Sequence, residues 1–188
     1  MHRFYFEDID KDSEFIEFSK NISHQIINVL RMKNGDSIEV FNGKGLSVIA
    51  QIDIDNKNIT AKAISKKNVF ESELKIDVYQ SIIKNSKLEL IIEKLTELGI
   101  SSFTPLITER SQKKDVISLS ENKINRLRKI CVESAEQSGK FFIPEIRNRE
   151  KFVDMFNDRK LNNPIIFYEN RDESEALSDV NLDLYKNS

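Results

Sequence analysis

Polar residues able to do chemistry gather in two short stretches in the second half of the chain. Arg110 and Ser111 come directly after the apolar run from Phe103 to Ile107. The second stretch ends a helical pattern and contains Glu133, Glu136, Gln137 and Lys140. A guanidinium can hold phosphate or a developing negative charge, and a glutamine amide both donates and accepts hydrogen bonds. These residue types predict a reaction in which the protein mainly orients its substrates and stabilises charge.

The helical stretch also has a plainer interpretation. Lys129, Glu133, Gln137 and Lys140 follow one another at spacings of four, four and three, so they share one polar face of a helix. A ladder of surface ion pairs has the same spacing, with each pair contributing roughly 0.2–0.5 kcal/mol. The pattern alone leaves both possibilities open.

Several other chemistries lack the residues that they require. The chain has two histidines and one cysteine, Cys131, and these give no metal-ligand spacing. Neither a P-loop, a dinucleotide-binding glycine motif nor a serine nucleophile elbow is present. A metal-free reaction whose chemistry is carried by a cofactor is the enzyme class that the sequence leaves.

Two predicted helices hold the polar residues. An apolar stripe predicts a first helix that ends at Gly99, with Ser86 and Glu89 as a capping box at its start. This stripe consists of Leu88, Ile91, Leu95 and Leu98. A second helix is predicted from a capping box at Ser118 and Glu121 to its end at Gly139. Its stripe consists of Ile124, Leu127, Cys131 and Ala135.

Strands on either side of the first helix predict the sheet. Leu74 to Ile83 and Phe103 to Ile107 read as strands, and a strand-helix-strand unit with short connections predicts a parallel α/β sheet. Further on, Glu150 to Arg159 is predicted to be a helix and Pro164 to Tyr168 a buried strand. The helix is expected to face inward with Phe152, Val153 and Phe156.

The first half of the chain, up to a boundary near Val69, predicts a barrel or sandwich of short strands. The strands expected there are Arg3 to Phe6, Phe15 to Phe18, Ser37 to Phe41, Leu46 to Ile54 and Ile59 to Ile64. A short helix from Ser23 to about Arg31 interrupts them, and His24 and Arg31 lie seven residues apart. That spacing predicts that the two side chains share one helix face.

Composition limits the partners. The formal charge is −2 and the isoelectric point is near 5.8, which argues against indiscriminate binding of nucleic acid. Any RNA contact must therefore be local. No secretory signal or long apolar run is present, so we expect a soluble, cytoplasmic protein without membrane contact.

Motifs dispersed along the chain resemble a known family. In the second half they are Lys87 through Glu97-Leu98-Gly99, Pro105, Glu109-Arg110-Ser111, and Glu133 to Lys140 followed by Pro144. In the first half they are Arg3-Phe4, His24, Val29-Leu30-Arg31, Gly35-Asp36 and Phe41-Asn42-Gly43. Together they resemble the RsmE family of 16S ribosomal RNA uridine-N3 methyltransferases, in the SPOUT superfamily.

The resemblance implies an α+β protein of two domains. Residues 1–69 would form a PUA-like β-barrel that binds RNA, and residues 70–188 an α/β parallel-sheet methyltransferase domain of the SPOUT, trefoil-knot type. It also implies that the protein methylates N3 of one uridine in small-subunit ribosomal RNA, using S-adenosylmethionine as cofactor. The implied partners are that RNA or the 30S subunit and, in a homodimer, a second copy of the chain.

The resemblance also assigns roles to individual residues. The implied catalytic residues are Arg110, Glu133, Glu136 and Gln137. The implied RNA contacts are Arg3, His24, Arg31, Ser111 and Lys140. Tyr168 and Glu169 are implied to bind the cofactor, and no residue is assigned to a metal. In this scheme Gln137 reads the edge of the uracil, and Glu133 or Glu136 orients Arg110 or accepts a proton.

One family feature has no counterpart in the sequence. Members continue past the strand that matches Ile165 to Tyr168 into a Gly-Pro-Glu-Gly-Gly loop and a segment that closes the cofactor pocket, whereas Asn170 to Ser188 is acidic. We therefore expect an incomplete domain that by itself does not bind S-adenosylmethionine appreciably and is inactive. The alternatives are a non-catalytic RNA-binding or dimerisation module, or a scaffold with solvated helix faces.

Overall fold

The chain folds around two separate sheets in a computed structural model that describes residues 1–55, 58–158 and 164–167. The first half contains β1 (His2–Tyr5), β2 (Phe15–Glu17), α1 (Lys20–His24), a π-helical turn (Gln25–Val29), β3 (Ser37–Phe41), β4 (Leu46–Asp55) and β5 (Asn58–Asn68). The second half contains β6 (Asp77–Ser81), α2 (Asn85–Leu98), β7 (Ser102–Ile107), α3 (Lys113–Ser118), α4 (Glu121–Ser138), β8 (Glu145–Ile146), β9 (Glu150–Lys151) and α5 (Phe152–Asp158).

The first sheet has five strands in the order β1-β3-β4-β5-β2. β1 runs parallel to β3, and the other neighbours are antiparallel. Alternating apolar residues such as Ile38, Val40, Val48 and Ile52 are fully buried and form one core, against which the π-helical turn packs through Ile26. The predicted β-rich half, with a PUA-like fold, is confirmed.

The short helix of this half differs from the prediction. It begins at Lys20, where the Ser19 hydroxyl accepts a hydrogen bond from the backbone N–H of Ile22, and not at Ser23. After His24 the backbone continues as a π-helical turn, and Arg31 lies beyond its end with a φ of 53°. The expectation that His24 and Arg31 share one helix face is therefore wrong, because seven-residue spacing aligns side chains only in a continuous α-helix.

The second sheet is parallel throughout its described strands, as the strand-helix-strand pattern predicts. β7 is central, with β6 on one side and both β8 and β9 on the other. β8 pairs with the start of β7 and β9 with its end, so together they act as one interrupted strand. β6 is shorter than the predicted strand from Leu74 to Ile83 because pairing begins only at Asp77.

Helices α2 and α4 cover one face of this sheet and pack on each other. The stripe of α4 is buried as predicted. In α2, Leu88 and Ile92 are buried, but Leu98 is 76% exposed and Thr96 is buried instead, so the predicted stripe is wrong at its last position. Gly99 and Gly139 both end their helices in the left-handed conformation, as predicted.

Neither predicted capping box forms. The cap residue of α2 is Lys84, and the Glu89 carboxylate bonds Lys123 and Arg126 of α4 instead of the helix start. Ser118 is the last residue of α3, and its hydroxyl donates to the Asp115 carbonyl oxygen. In both cases the side chain that would cap the helix forms a hydrogen bond with another residue instead.

The end of the described chain corrects two further predictions. The predicted helix from Glu150 begins only at Phe152, because Glu150 pairs with β7, and Phe152 and Val153 are exposed whereas Met155 is buried. Residues 164–167 form no strand and are exposed. The remainder of that predicted strand, Tyr168, lies outside the described residues, as do Arg159 and the side chain of Phe156.

The two halves contact each other through backbone hydrogen bonds. The turn between β3 and β4 receives the chain that follows α4, with Gly45 N donating to Phe141 O at 3.2 Å and Ile143 N donating to Gly43 O at 3.1 Å. Gly45 has a φ of 99°, and a Cβ there would lie 2.5 Å from Val69 O and 2.8 Å from Phe142. Only glycine fits this close approach.

Candidate functional site

A tight turn at the carboxyl end of β7 presents the Glu109-Arg110 pair. The Ser111 hydroxyl accepts a hydrogen bond from Thr108 N at 3.0 Å, and Ser111 N donates to Thr108 O at 3.0 Å. Ser111 therefore closes the turn, while Glu109 and Arg110 are exposed at its tip. This is the edge of a parallel sheet at which α/β proteins bind ligands.

The other predicted catalytic residues lie at the end of α4. Glu133 is exposed and forms an ion pair with Lys129 at 3.6 Å, one turn away, so this part of the polar face is a surface ladder. Gln137 is exposed one turn further on. The Lys140 ammonium reaches the Leu98 carbonyl oxygen at 3.5 Å, at the end of α2.

Glu136 differs from its neighbours because it is turned toward the first half of the chain. Its carboxylate oxygen Oε1 accepts a hydrogen bond from Tyr5 N at 2.8 Å. Burial raises the pKa of Glu136, against the opposing effect of the Tyr5 hydrogen bond. Glu136 thus has its hydrogen-bond partner in the first sheet.

The structure places Arg110 and Gln137 at opposite ends of the second sheet. α4 begins near the carboxyl end of β7, where Arg149 donates to the Val116 and Leu119 carbonyl oxygens just before it. It ends near the amino end, where Glu145 pairs with Ser102. From Glu121 to Gln137 the helix rises roughly 24 Å at 1.5 Å per residue. The length of α4 thus separates Glu136 and Gln137 from the carboxyl end of β7, and the orientation of Arg110 by Glu133 or Glu136 stays a prediction.

Arg3, expected to contact RNA, is partly buried between β3 and the end of α4. Its Nε donates to Glu39 Oε2 at 2.6 Å, and Nη1 and Nη2 donate to the carbonyl oxygens of Ala135 and Lys140 at 3.0 and 3.1 Å. Its side chain is 11% exposed. An RNA contact by Arg3 stays a prediction, and its hydrogen bonds in this structure join the two halves of the protein.

His24 lies in a groove of about 570 Å³ beside the π-helical turn. The residues that line it include Phe18, Lys20, His24, Asn28 and Thr60. Cationic, amide and aromatic side chains of this kind suit a nucleotide. Arg31 is exposed beyond the turn and does not line the groove.

The predicted cofactor residues, Tyr168 and Glu169, lie outside the described residues. Immediately before them, Ile165, Ile166 and Phe167 are exposed apolar side chains. Such side chains suit contact with an adenine ring, so the described part of this segment fits the predicted cofactor.

Sequence patterns missed the residues that join the two halves. Glu39 lies in a strand and Phe141 directly follows a lysine, and neither belongs to a recognisable motif. Their common partner, Arg3, is distant in sequence, so only folding brings them together. Nothing in the local pattern signals such a pairing.

The described residues contain neither a metal-binding cluster nor a membrane-spanning helix. No group of three or more His, Cys, Asp or Glu side chains there is arranged to hold a metal ion. Within the same ranges, every helix is too short or too polar to span a bilayer.

Comparison with known families and proteins gives matches in both halves. A family model described as an RNA methyltransferase domain matches residues 70–186, and one described as an RNA methyltransferase PUA domain matches residues 18–64. Relatives named "Ribosomal RNA small subunit methyltransferase E" from Rickettsia conorii and Buchnera aphidicola (of Acyrthosiphon pisum) are each 37% identical, over 82% and 77% of the chain. These alignments cover 60% and 58% of the relatives' own lengths.

Solved structures agree on the fold. A ribosomal RNA small subunit methyltransferase E from Neisseria gonorrhoeae, bound to S-adenosyl methionine, superimposes with a TM-score of 0.74 at 24% identity and covers 85% of this chain and 65% of its own. A protein from Legionella pneumophila, in complex with the bound cofactor SAM, gives 0.71 at 29% identity, with coverage of 84% and 66%. The predicted α+β architecture of SPOUT methyltransferases is thereby confirmed.

Proposed function

The chain belongs to the RNA methyltransferase family whose members are named ribosomal RNA small subunit methyltransferase E, and on this premise we propose that it methylates N3 of a uridine in small-subunit ribosomal RNA with S-adenosylmethionine. One observation carries the proposal: an RNA methyltransferase domain and its PUA domain match one chain, and each match falls on one of the two sheets. We place the domain boundary near Val69, between β5 and β6.

RNA binding is assigned to the first domain and to the end of α4. The groove beside the π-helical turn offers Lys20 and His24 to a nucleotide, and Arg31 and Lys140 are exposed or partly exposed cations able to contact phosphate. Because the overall charge is negative, affinity must come from these local contacts.

The cofactor, when bound, supplies an electrophilic methyl group on a sulfonium. The residues of the chain have to place the uracil ring in line with that methyl group and compensate the charge left when N3 loses its proton. The Arg110 guanidinium, at the tip of the turn after β7, is suited to hold the negative charge on the uracil carbonyl next to N3. The Gln137 amide can donate to and accept from the uracil edge.

Two subunits are needed to bring these residues together. In one chain Arg110 follows the carboxyl end of β7, whereas Gln137 lies at the end of α4, which rises roughly 24 Å from Glu121 to Gln137 toward the amino end of β7. In a homodimer with two-fold symmetry, the Arg110 end of one copy can face the Gln137 end of the other, which forms two equivalent sites.

The activity is tested with unmethylated small ribosomal subunits and radiolabelled S-adenosylmethionine. We expect label in the RNA and a reverse-transcription stop at one uridine, because a methyl group on N3 blocks Watson–Crick pairing. If the protein binds the RNA but no label is transferred, the methyltransferase proposal is rejected and the alternative of an RNA-binding module is supported. Calorimetric titration with S-adenosylmethionine measures cofactor binding separately: micromolar affinity would support the enzyme, and no binding would reject it.

The shared site is tested by mixing two inactive variants. Arg110→Ala and Gln137→Ala are each expected to lower turnover by about 10²-fold, whereas Arg126→Ala, on the outer face of α4, should leave it unchanged. Mixed dimers of the two variants contain one intact site of two, so the mixture should recover about a quarter of the wild-type rate. No recovery would place both residues in a site formed by one chain.

A further inference from the structure

One arginine bonds through all three nitrogens of its guanidinium, and two of them reach the second domain. Arg3 is in β1, and its Nε bonds Glu39 Oε2 on the neighbouring strand β3. Its two terminal nitrogens cross to the second domain, to the carbonyl oxygens of Ala135 and Lys140. The Glu39 carboxylate is held in turn by the Ser47 hydroxyl, which donates to Oε1 at 2.6 Å.

Two aromatic rings, one from each domain, fix the plane of this guanidinium. The Arg3 Cζ atom lies 4.7 Å from the ring centroid of Phe41 in the first domain and 4.7 Å from that of Phe141 in the second. A planar, delocalised cation can stack on rings and donate in a fixed fork at the same time, whereas a lysine ammonium cannot. The site is therefore specific for arginine.

The acceptors lie at the C-terminal end of α4: the Ala135 carbonyl oxygen, which also accepts the Lys140 N–H at 3.1 Å, and the Lys140 carbonyl oxygen just beyond the helix. Gly139, with a φ of 77°, turns the chain so that the carbonyl oxygens of Ala135 and Lys140 both face Arg3. This end also carries the negative pole of the helix dipole, which favours a cation. Beside it, Glu136 accepts the Tyr5 N–H.

We propose that these contacts form an interdomain latch, comprising Arg3, Glu39, Glu136 and the carbonyls of Ala135 and Lys140, which sets the orientation of the RNA-binding domain relative to the end of α4. Arg3 is its positioning residue. The latch spans residues 135–140, the same segment that presents Gln137 and Lys140, so RNA held on the first domain is placed over these side chains at a fixed distance. The consequence for turnover rests on the proposed function; the consequence for domain orientation does not.

The latch gives Glu136 a role different from the catalytic one implied by the sequence. Its carboxylate is partly buried against the first domain and already accepts a backbone hydrogen bond. The segment from Glu133 to Lys140 thus combines two tasks. Glu136 and the backbone dock the first domain, while Gln137 remains exposed to substrate.

Domain orientation is measured first, without RNA or cofactor. Spin labels are attached to cysteines introduced at two exposed positions, Asp53 in the first domain and Glu121 in the second, since Cys131 is buried. Double electron–electron resonance should give one narrow distance distribution in the wild type and a broad one in Arg3→Ala. The matched control is Arg126→Ala, which also removes an arginine–glutamate pair but within one domain, and should stay narrow.

Turnover is measured next on small ribosomal subunits. Because displacing a reacting group by about 1 Å can cost 10²-fold, we expect kcat to fall about tenfold or more in Arg3→Ala with KM changed less than about twofold. Arg3→Lys keeps the charge and loses the fork, so its distribution and kcat should lie between the two; it also replaces Arg3→Ala if that variant does not fold.

A narrow distribution in folded Arg3→Ala or Arg3→Lys, or an increase in KM with unchanged kcat, would overturn the latch. If the wild type transfers no methyl group, the distance measurement still decides the latch, and only the proposed function fails.

Discussion

Helix α4 carries an ionic cluster at each end, and the two clusters differ in burial and in what they join. Near its start, Lys123 and Arg126 bond Glu89 of α2 within one domain; the Lys123 and Glu89 side chains are 14% and 22% exposed, but Arg126 is 64% exposed. At its end, Arg3 bonds Glu39 and the helix carbonyls between two domains, and the Arg3 and Glu39 side chains are 11% and 15% exposed. Solvent screens the Arg126 pair of the first cluster, so that pair contributes little to stability. The second is shielded, and its geometry fixes how the domains meet.

The comparison predicts its largest effect at Glu39. Glu39→Ala leaves the Arg3 guanidinium partly buried without its carboxylate and the Ser47 hydroxyl without its acceptor, so we expect a loss of about 3 kcal/mol in the free energy of unfolding. Urea unfolding monitored by circular dichroism measures it. The matched variant in the other cluster, Glu89→Ala, should lose less than half as much because the Arg126 partner is 64% exposed, and equal losses would contradict the comparison.

The next effect tests the close approach of the two domains. Gly45→Ala introduces a Cβ within 3 Å of Val69 O and Phe142, at a φ of 99°, and we expect a loss of about 3 kcal/mol. Gly35→Ala is the control, because its φ of 89° imposes similar backbone strain while its nearest neighbour, Gln51, is 3.8 Å away. Gly35→Ala should cost about 1 kcal/mol. Thermal unfolding of both variants separates the steric effect from the backbone effect.

A smaller effect is expected at Glu89. Hydrogen bonds from Arg126 and then Lys123 lower the pKa of Glu89 to about 2. Its ionised form therefore stabilises the fold above the usual carboxyl pKa, and this stabilisation is lost as pH falls toward 2. Glu89→Gln should cost about 0.5–1 kcal/mol at pH 7 in low salt. In 1 M salt the difference should nearly vanish, and a difference that persists would indicate a shielded pair.

The smallest effect, of opposite sign, is expected at Glu136. Burial raises the pKa of Glu136, so its protonated form is favoured by folding, and its contribution to stability increases as pH falls from neutral through that raised pKa. Glu136→Gln keeps an oxygen acceptor for the Tyr5 N–H and removes the buried charge. We expect equal or slightly higher stability at pH 7, by less than about 1 kcal/mol.

The control for Glu136 is the pH profile itself. As pH falls from neutral toward the usual carboxyl pKa of 4.5, the wild type should gain stability relative to Glu136→Gln. It should show no such gain relative to Glu89→Gln, because the pKa of Glu89 is about 2. If the free energies of unfolding of Glu136→Gln and the wild type change in parallel over this range, Glu136 is not buried at the interface between the two domains.

Local sequence determined the elements and the family. Local patterns predict several elements: the apolar spacing of α4, the left-handed glycines at 99 and 139, and the strands β3 and β7. Each of these patterns depends only on residues close in the sequence, so the sequence alone is enough to predict it. The strand-helix-strand order likewise fixed the parallel sheet, since parallel strands need a crossover. Motifs such as Glu109-Arg110-Ser111 carried the resemblance.

Only the tertiary structure decided which polar residues meet. Ser86, Glu89 and Ser118 have the spacing of helix caps, yet partners elsewhere hold the side chains of Glu89 and Ser118. Arg3 is a charged residue near the N-terminus, yet it is partly buried against residues more than 130 positions away. Arg110 follows the carboxyl end of β7, whereas Gln137 lies at the end of α4. Hydrogen bonds and ion pairs are directional and short in range, so their partners are set by the packing of whole domains, which no local pattern encodes.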